Sequence, residues 1–325
     1  MQENHDHRWS VILAGGEGVR LRPLTRLICG DERPKQFCPL IGGTSLLART
    51  ILRVEKHFAR DRTLFVLTRA HERFYRSDFA EVAPTRMVIQ PCNRGTLPAI
   101  LWSLIRIVRL DPRAVVTFFP SDHHYSDEEN FMTGVKMACE AAEAGSSTVT
   151  LLGVRARHVE PGLGWIEARA STSGNSRYPL LRVKRFWEKP PLRSARRLLE
   201  RGCVWNTFVM VGLAQAFLEM IASVVPWFHR LFKAIEPEKH EETIESLYQT
   251  MSAADFSAQV LSASIERLAV LCLGDVGWSD LGDPQRVIDA LSRDGIERPW
   301  LSLLRRQAGS ETGPMNVVTR DCRGS

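Results

Sequence analysis

The stretch VILAGGEGVRLRPLTR, residues 11–26, sets the reading of the whole chain. Val11 to Ala14 form a short continuous apolar run, the pattern of a strand covered on both faces of a parallel sheet. The run stops at Gly15. Gly15, Gly16 and Gly18 can take backbone angles closed to other residues, and they let a ligand approach the main chain without meeting a Cβ. A turn of this kind after a first strand faces an anion. Two familiar phosphate loops fit badly, because one ends in Gly-Lys-Ser/Thr and the dinucleotide fingerprint needs a third glycine where Leu21 stands. The loop is built for a different anion.

Outward from this loop the pattern alternates. Residues 44–58 have helical spacing, 63–68 (TLFVLT) are a second buried strand and 99–110 an amphipathic helix. Residues 114–124 (AVVTFFPSDHH) are a strand ending in polar groups, 130–145 a helix and 147–154 a strand. Such alternation predicts an α/β, Rossmann-like, doubly wound and mostly parallel (mixed) sheet with helices on both faces. Ligands of such sheets sit outside the carboxyl ends of the strands. Further on, 164–171 and 180–190 read as strands around a polar excursion at 172–177, a hairpin or mixed-sheet insertion. Residues 213–264 are mostly helical, and 268–274 (LAVLCLG) return to strand. The expected division is one domain over 1–290 and a small, partly irregular C-terminal extension over 291–325.

Composition narrows the class. The chain has 325 residues, 25% charged and 44% hydrophobic, the balance of an ordinary globular protein rather than a disordered one. The net charge of +6 comes from Lys and Arg spread along the chain, which favours an anionic small-molecule site over nucleic acid. Seven cysteines include no CxxC pair, which suits a reducing compartment. The first ten residues lack a signal pattern, and no apolar run reaches the roughly 18 residues of a membrane helix. A cytoplasmic protein with no membrane partner is expected; homodimerisation is left open.

With Gly-Gly-x-Gly-x-Arg followed by Pro34-Lys35-Gln36, the sequence resembles the sugar nucleotidyltransferases, and PKQF points to their mannose-1-phosphate guanylyltransferase branch. QPCNRGTLPAI (90–100), PSDH (120–123), GLGWIE (162–167), FWEKP (186–190), WNT (205–207) and GWSDLG (277–282) follow in the family's order. Specificity comes from the ordered set, which covers about residues 11–282. The resemblance implies transfer of a nucleotide from a nucleoside triphosphate to a hexose 1-phosphate, GTP and mannose 1-phosphate giving GDP-mannose and pyrophosphate. Another base or sugar stays open.

Chemistry agrees with that family. A sugar 1-phosphate brings its own nucleophilic oxygen, so the protein must chiefly position groups and neutralise charge. Backbone N–H groups of Gly15 to Gly18 can face phosphate oxygens, and Arg20 and Lys35 can supply cationic donors to the triphosphate and the departing pyrophosphate. The resemblance adds Gln90 and Thr96 on the nucleotide, and Asp122 and Asp280 as ligands of Mg²⁺. The alternative for either aspartate is to cap a following helix. Glu188 is given to sugar hydroxyls and Lys189 to the sugar phosphate, with Gly164 and Asn206 completing the sugar pocket. Adjacent histidines on a strand face opposite sides, so one of His123 and His124 packs and the other lies near the site. Trp165, Trp187, Trp205 and Trp278 are expected to support these residues by packing.

Three departures from the family stand out. Phe208 replaces the glycine of Trp-Asn-Ser-Gly, residues 95–99 read Gly-Thr-Leu-Pro-Ala for Asn-Thr-Ala-Pro-Ala, and Gln259 and Ser264 stand in for acids. Phe208 either fills part of the sugar pocket or packs into the core; the apolar stretch WNTFVMVGL favours the core. The rival from another class is a non-catalytic relative that binds nucleotide sugar and regulates a partner. A dinucleotide-dependent oxidoreductase ranks third, since it lacks the third glycine.

Overall fold

Alternation along the first strand, β1 (Arg8–Leu13), divides the interior into two cores. Trp9 and Val11 point into one, Ile12 into the other. Successive phenylalanines do the same on β4 (Val115–Pro120). Phe118 meets Phe217 edge-on at 5.3 Å on one face, and Phe119 meets Phe58 at 5.7 Å on the other. Each such ring, fully buried, contributes roughly 1.5–3 kcal/mol.

In this computed structural model the described residues are 7–145, 147–169, 179–234, 240–302 and 304. After β1 come α1 (Arg22–Cys29), α2 (Leu46–Glu55), β2 (Thr63–Thr68), α3 (Glu72–Tyr75), β3 (Met87–Gln90) and α4 (Thr96–Leu110). Beyond β4 lie α5 (Glu128–Glu143), β5 (Val149–Arg155), β6 (Gly164–Ala168), β7 (Leu180–Glu188) and α6 (Leu192–Glu200). The chain continues through β8 (Val204–Leu213), α7 (Ala214–Val224), α8 (Pro226–Lys233), α9 (His240–Thr250), β9 (Leu268–Leu273) and α10 (Pro284–Arg293).

All nine strands join one sheet in the order β3-β2-β1-β4-β8-β5-β9-β7-β6. The run from β3 to β4 is parallel. β8 enters antiparallel between β4 and β5, β9 lies parallel to β5, and β6 and β7 form an antiparallel hairpin, so the sheet is mixed. The excursion that joins the hairpin lies outside the described residues. From β1 the chain winds outward to β3 and then crosses back to β4, which makes the β1/β4 boundary the switch point where a crevice opens.

A third, smaller core lies at the rim of that crevice. Leu21, Leu24, Leu40, Leu281, Leu291 and Trp300 share it, and Trp300 is 5% exposed. The division expected after residue 290 therefore needs correction. It falls inside α10, and the chain through Trp300 packs on the body because an indole and several leucines leave water together there.

Candidate active site

The glycine loop leaves β1 with its carbonyl groups tied down. Gln36 Nε2 donates to the Ala14 and Gly16 carbonyls at 3.0 and 2.8 Å, and Thr68 Oγ1 donates to the Gly15 carbonyl at 3.3 Å. Gly18 takes φ 56°, in the left-handed region that a side chain disfavours. Among the described residues no acceptor bonds the N–H groups of Gly15 to Gly18, and unpaired main-chain donors in a turn suit an anion. Gln90 is buried beside Gly15, with its Oε1 accepting from Tyr248 Oη at 3.2 Å. Gly15, Gly16, Gln90, Thr96, Asp122 and Phe208 line one cavity of about 310 Å³.

Lys35 is the hinge of the cation side. Its ammonium donates to the main-chain carbonyls of Asp280 and Leu281 and lies 3.3 Å from Asp122 Oδ2. One elementary feature sets the spacing of the two aspartates. His124 N donates to Ser279 O at 2.9 Å and Ser279 N to His124 O at 3.0 Å, a two-bond bridge that locks the end of β4 to the loop after β9. Burial pushes the Asp280 carboxyl up, but Lys35 and Arg286 outweigh it and hold it below the usual carboxylate range. Arg20 is exposed, makes no ion pair among the described residues, and ends close to Gly282 beside Asp280.

Neither aspartate is a helix cap. Asp127 caps α5, accepting from Asn130 N at 3.0 Å, and Asp283 caps α10, accepting from Arg286 N at 3.0 Å. Asp122 lines the cavity, and Asp280 accepts from Arg286 Nη1 at 2.6 Å and from Gly282 N at 3.1 Å. Of the two histidines, His123 lines the cavity and stacks edge-on to Trp278 at 5.5 Å, while His124 is buried against Asp294 at 2.6 Å. Burial lowers the pKa of His123.

On the second side, β6 and β7 place Gly164 directly opposite Glu188. A Cβ on Gly164 would stand 3.1 Å from Glu188 Oε2 and 3.2 Å from Asn206 Cβ, so the glycine permits the close approach of all three. Burial raises the pKa of Glu188; Lys189 opposes this and Asp255 adds to it. Lys189 is exposed, its Nζ 3.4 Å from Glu188 Oε1. Trp165, Trp205 and Trp278 pack behind in one core, with Trp187 half-buried against it.

Phe208 meets the core expectation only in part, since the ring packs against the core and also lines the cavity. Between Leu151 and Gly153 β5 advances two positions while β8 advances four, from Met210 to Asn206, so β8 bulges at this point. Phe208 sits in the bulge at φ 61°, its N–H donating to Asn206 Oδ1 at 3.1 Å. Half-buried, it touches the core on one side and lines the cavity on the other. Strand alternation could not reveal this, because a bulge resets the period. Lys189 and Leu281 also have positive φ, at 45° and 47°, so among the described residues the non-glycine residues in left-handed conformation border the candidate site.

Other positions also differ from expectation. Thr96 lines the cavity, but its hydroxyl is committed internally, accepting from Phe256 N at 2.8 Å and donating to Asp255 Oδ2 at 3.3 Å. Gln259 is exposed and Ser264 buried. Asp255 lines the cavity, and Gln36, Tyr248 and Arg286 bond Gly16, Gln90 and Asp280; the motifs singled out none of the four for a role. Only Gln36 carried a signal, as the third residue of Pro-Lys-Gln.

A mixed sheet with a crevice at its switch point, a glycine loop with unpaired N–H groups and a lysine beside Asp122 and the Asp280 carbonyl define an α/β protein with a candidate anion site. The chain belongs to the nucleotidyl transferase family, whose profile matches residues 9–295. The xanthan biosynthesis protein XanB of Xanthomonas campestris pv. campestris (strain B100) is 32% identical over 88% of this chain and 60% of its own length. A mannose-1-phosphate guanylyltransferase of Escherichia coli is 25% identical over 96% of this chain and 63% of its own. The chain thus spans less than two thirds of these relatives. A solved structure from Thermus thermophilus, described as a mannose-1-phosphate geranyltransferase, has a TM-score of 0.75 at 26% identity, covering 90% of this chain and 80% of that one.

Proposed function

We propose that the protein joins a nucleoside triphosphate to a hexose 1-phosphate, with GTP and mannose 1-phosphate giving GDP-mannose and pyrophosphate. The observation that carries this reading is Lys35, whose ammonium lies against Asp122 and the Asp280 backbone while its main chain packs beside Gly18 of the glycine loop. Membership of the nucleotidyl transferase family supports the reaction class, and the name of the Escherichia coli relative supports the choice of base and sugar.

In this reading the sugar phosphate oxygen attacks the α-phosphorus of the triphosphate. The bond from that phosphorus to the oxygen bridging to the β-phosphate breaks, and pyrophosphate leaves. Loop N–H groups, Arg20 and Lys35 hold the phosphates and offset charge that grows on the leaving group. Glu188 accepts from sugar hydroxyls, Lys189 meets the sugar phosphate, and Asn206 and Gly164 shape the pocket. Asp122 and Asp280 offer the hard oxygen donors that suit Mg²⁺, a cation that takes few protein ligands and keeps water and phosphate oxygens. When bound it supplies positive charge to both substrates' phosphates. We also propose a cytoplasmic setting, supported by six free cysteines among the described residues; no helix there is long and apolar enough to cross a membrane.

A second reading, a non-catalytic binder of nucleotide sugar, draws on Phe208 at the cavity wall. Pyrophosphate release measured over a matrix of triphosphates and sugar 1-phosphates separates the two. Turnover highest with GTP and mannose 1-phosphate is expected; binding of GDP-mannose without turnover of any pair overturns the catalytic reading.

A further inference from the structure

Arg286, on the first turn of α10, reaches three carboxylates at once. Nη1 lies 2.6 Å from Asp280 Oδ1, Nη2 2.6 Å from Glu160 Oε2, and Nε 3.1 Å from Asp283 Oδ2. The guanidinium is 14% exposed, and Asp280 and Glu160 are 14% and 17% exposed, so these are largely desolvated pairs with fixed geometry. Asp283 caps α10, while Asp280 and Glu160 belong to different parts of the site. Asp280 also accepts from Gly282 N at 3.1 Å through Oδ1, the same oxygen that Arg286 holds, which leaves Oδ2 to face a cation. Glu160 reaches the other way. Its Oε1 accepts from Gly162 N at 2.7 Å, and its main-chain carbonyl accepts from Trp165 Nε1 at 2.8 Å, so it sets the loop that delivers Gly164 to the sugar side.

We propose that Arg286 is a positioning residue that couples the two halves of the site: gripping Asp280 and Glu160 together makes cation binding at Asp280 and sugar binding beside Gly164 mutually dependent. The inference rests on the nucleotidyl-transfer reading above. Its physical basis is the planar fork, which holds two carboxylates in one rigid arrangement that a lysine ammonium cannot reproduce. Without Arg286, the largely buried carboxylates of Asp280 and Glu160 would lose the charge that holds them together and move apart. Coupling of this kind is reciprocal, so whatever orders one carboxylate strengthens binding at the other.

The test is equilibrium binding by calorimetry, with GDP-mannose and GDP as probes, each titrated with Mg²⁺ in excess and with EDTA. In the wild type, Mg²⁺ should strengthen GDP-mannose binding more than GDP binding. The difference between the two enhancements isolates the sugar-side coupling, expected at about tenfold, within the range of typical coupling energies. Glu160→Gln keeps the acceptor for Gly162 N but loses the ion pair. It should make the two enhancements equal, leave GDP affinity unchanged and raise KM for mannose 1-phosphate without raising KM for GTP. Arg286→Gln should do the same and also raise the Mg²⁺ requirement by roughly 10- to 100-fold, the usual effect of losing a ligand's outer partner. Arg286→Lys guards against a folding failure and should retain only part of the difference. Equal coupling in the wild type, Glu160→Gln and Arg286→Lys overturns the proposal, as does a loss confined to melting temperature. A wild-type protein that binds neither probe instead overturns the functional reading on which it rests.

Discussion

Phe208 carries a conformation that its side chain opposes. At φ 61° a non-glycine residue costs roughly 1–2 kcal/mol, and the sequence places it where related motifs have glycine. Phe208→Gly removes that strain while giving up a half-buried ring. Its stability loss should therefore stay below the ~3–5 kcal/mol of deleting a fully buried phenylalanine. The same change opens the cavity wall, and the ratio of kcat/KM between sugar 1-phosphates should shift by roughly 10- to 200-fold. Thermal melts and sugar preference measured together check both; a large stability loss with an unshifted ratio would contradict the placement. The two cationic residues should behave differently from each other. Lys35→Met and Arg20→Ala should each lower turnover at least about a hundredfold, the scale of a lost charge-stabilising donor. Only Lys35→Met should also lower the melting temperature, because it strips Asp122, Asp280 and Leu281 of a buried partner, whereas Arg20 is exposed. Arg20, Lys35, Asp122 and Asp280 were legible because short motifs name them. Arg286 was not, since its three partners are brought together by the fold rather than by a spacing.

Element ends decide what the aspartates do. Asp127 and Asp122 stand five residues apart after the same strand, yet one caps α5 and the other faces the cavity. Asp127→Ala should cost about 0.5–2 kcal/mol of stability and leave the Mg²⁺ dependence unchanged. Asp122→Asn should show the reverse, a near-normal melt with Mg²⁺-dependent turnover abolished. Matching effects in both variants would return Asp122 to a structural role. Strand and helix periods read most of these elements directly, and the hairpin of β6 and β7 was visible as two apolar runs around a polar excursion. β3, with four residues, is too short to show a period. The bulge in β8 was hidden for a different reason, since two extra residues change the register without changing the apolar composition.

At the scale of the whole molecule there are three cores, and the smallest binds the glycine-loop helix α1 to α10 and Trp300. Composition showed a globular interior but not this third core, because its members are scattered from Leu21 to Trp300. Stability should fall on mild acidification. Burial lowers the pKa of His71, with Glu17 opposing, and burial lowers that of His229, both from an ordinary value of 6.5. A depressed folded-state pKa means the unfolded chain takes up the proton first, so their contribution is complete above about 6.5 and is lost as pH falls below it. The melting temperature should decline over that window, and His71→Gln should flatten part of the slope; an unchanged slope would locate the titration elsewhere. The central claim, that one centre at the β1/β4 switch point transfers a nucleotide to a sugar phosphate, is tested most directly by ³¹P NMR of GTP, mannose 1-phosphate and Mg²⁺ with the wild-type chain and Asp122→Asn. The account predicts equal amounts of pyrophosphate and GDP-mannose from the wild type and neither from the variant. Inorganic phosphate in place of pyrophosphate, or unchanged products from Asp122→Asn, would contradict it.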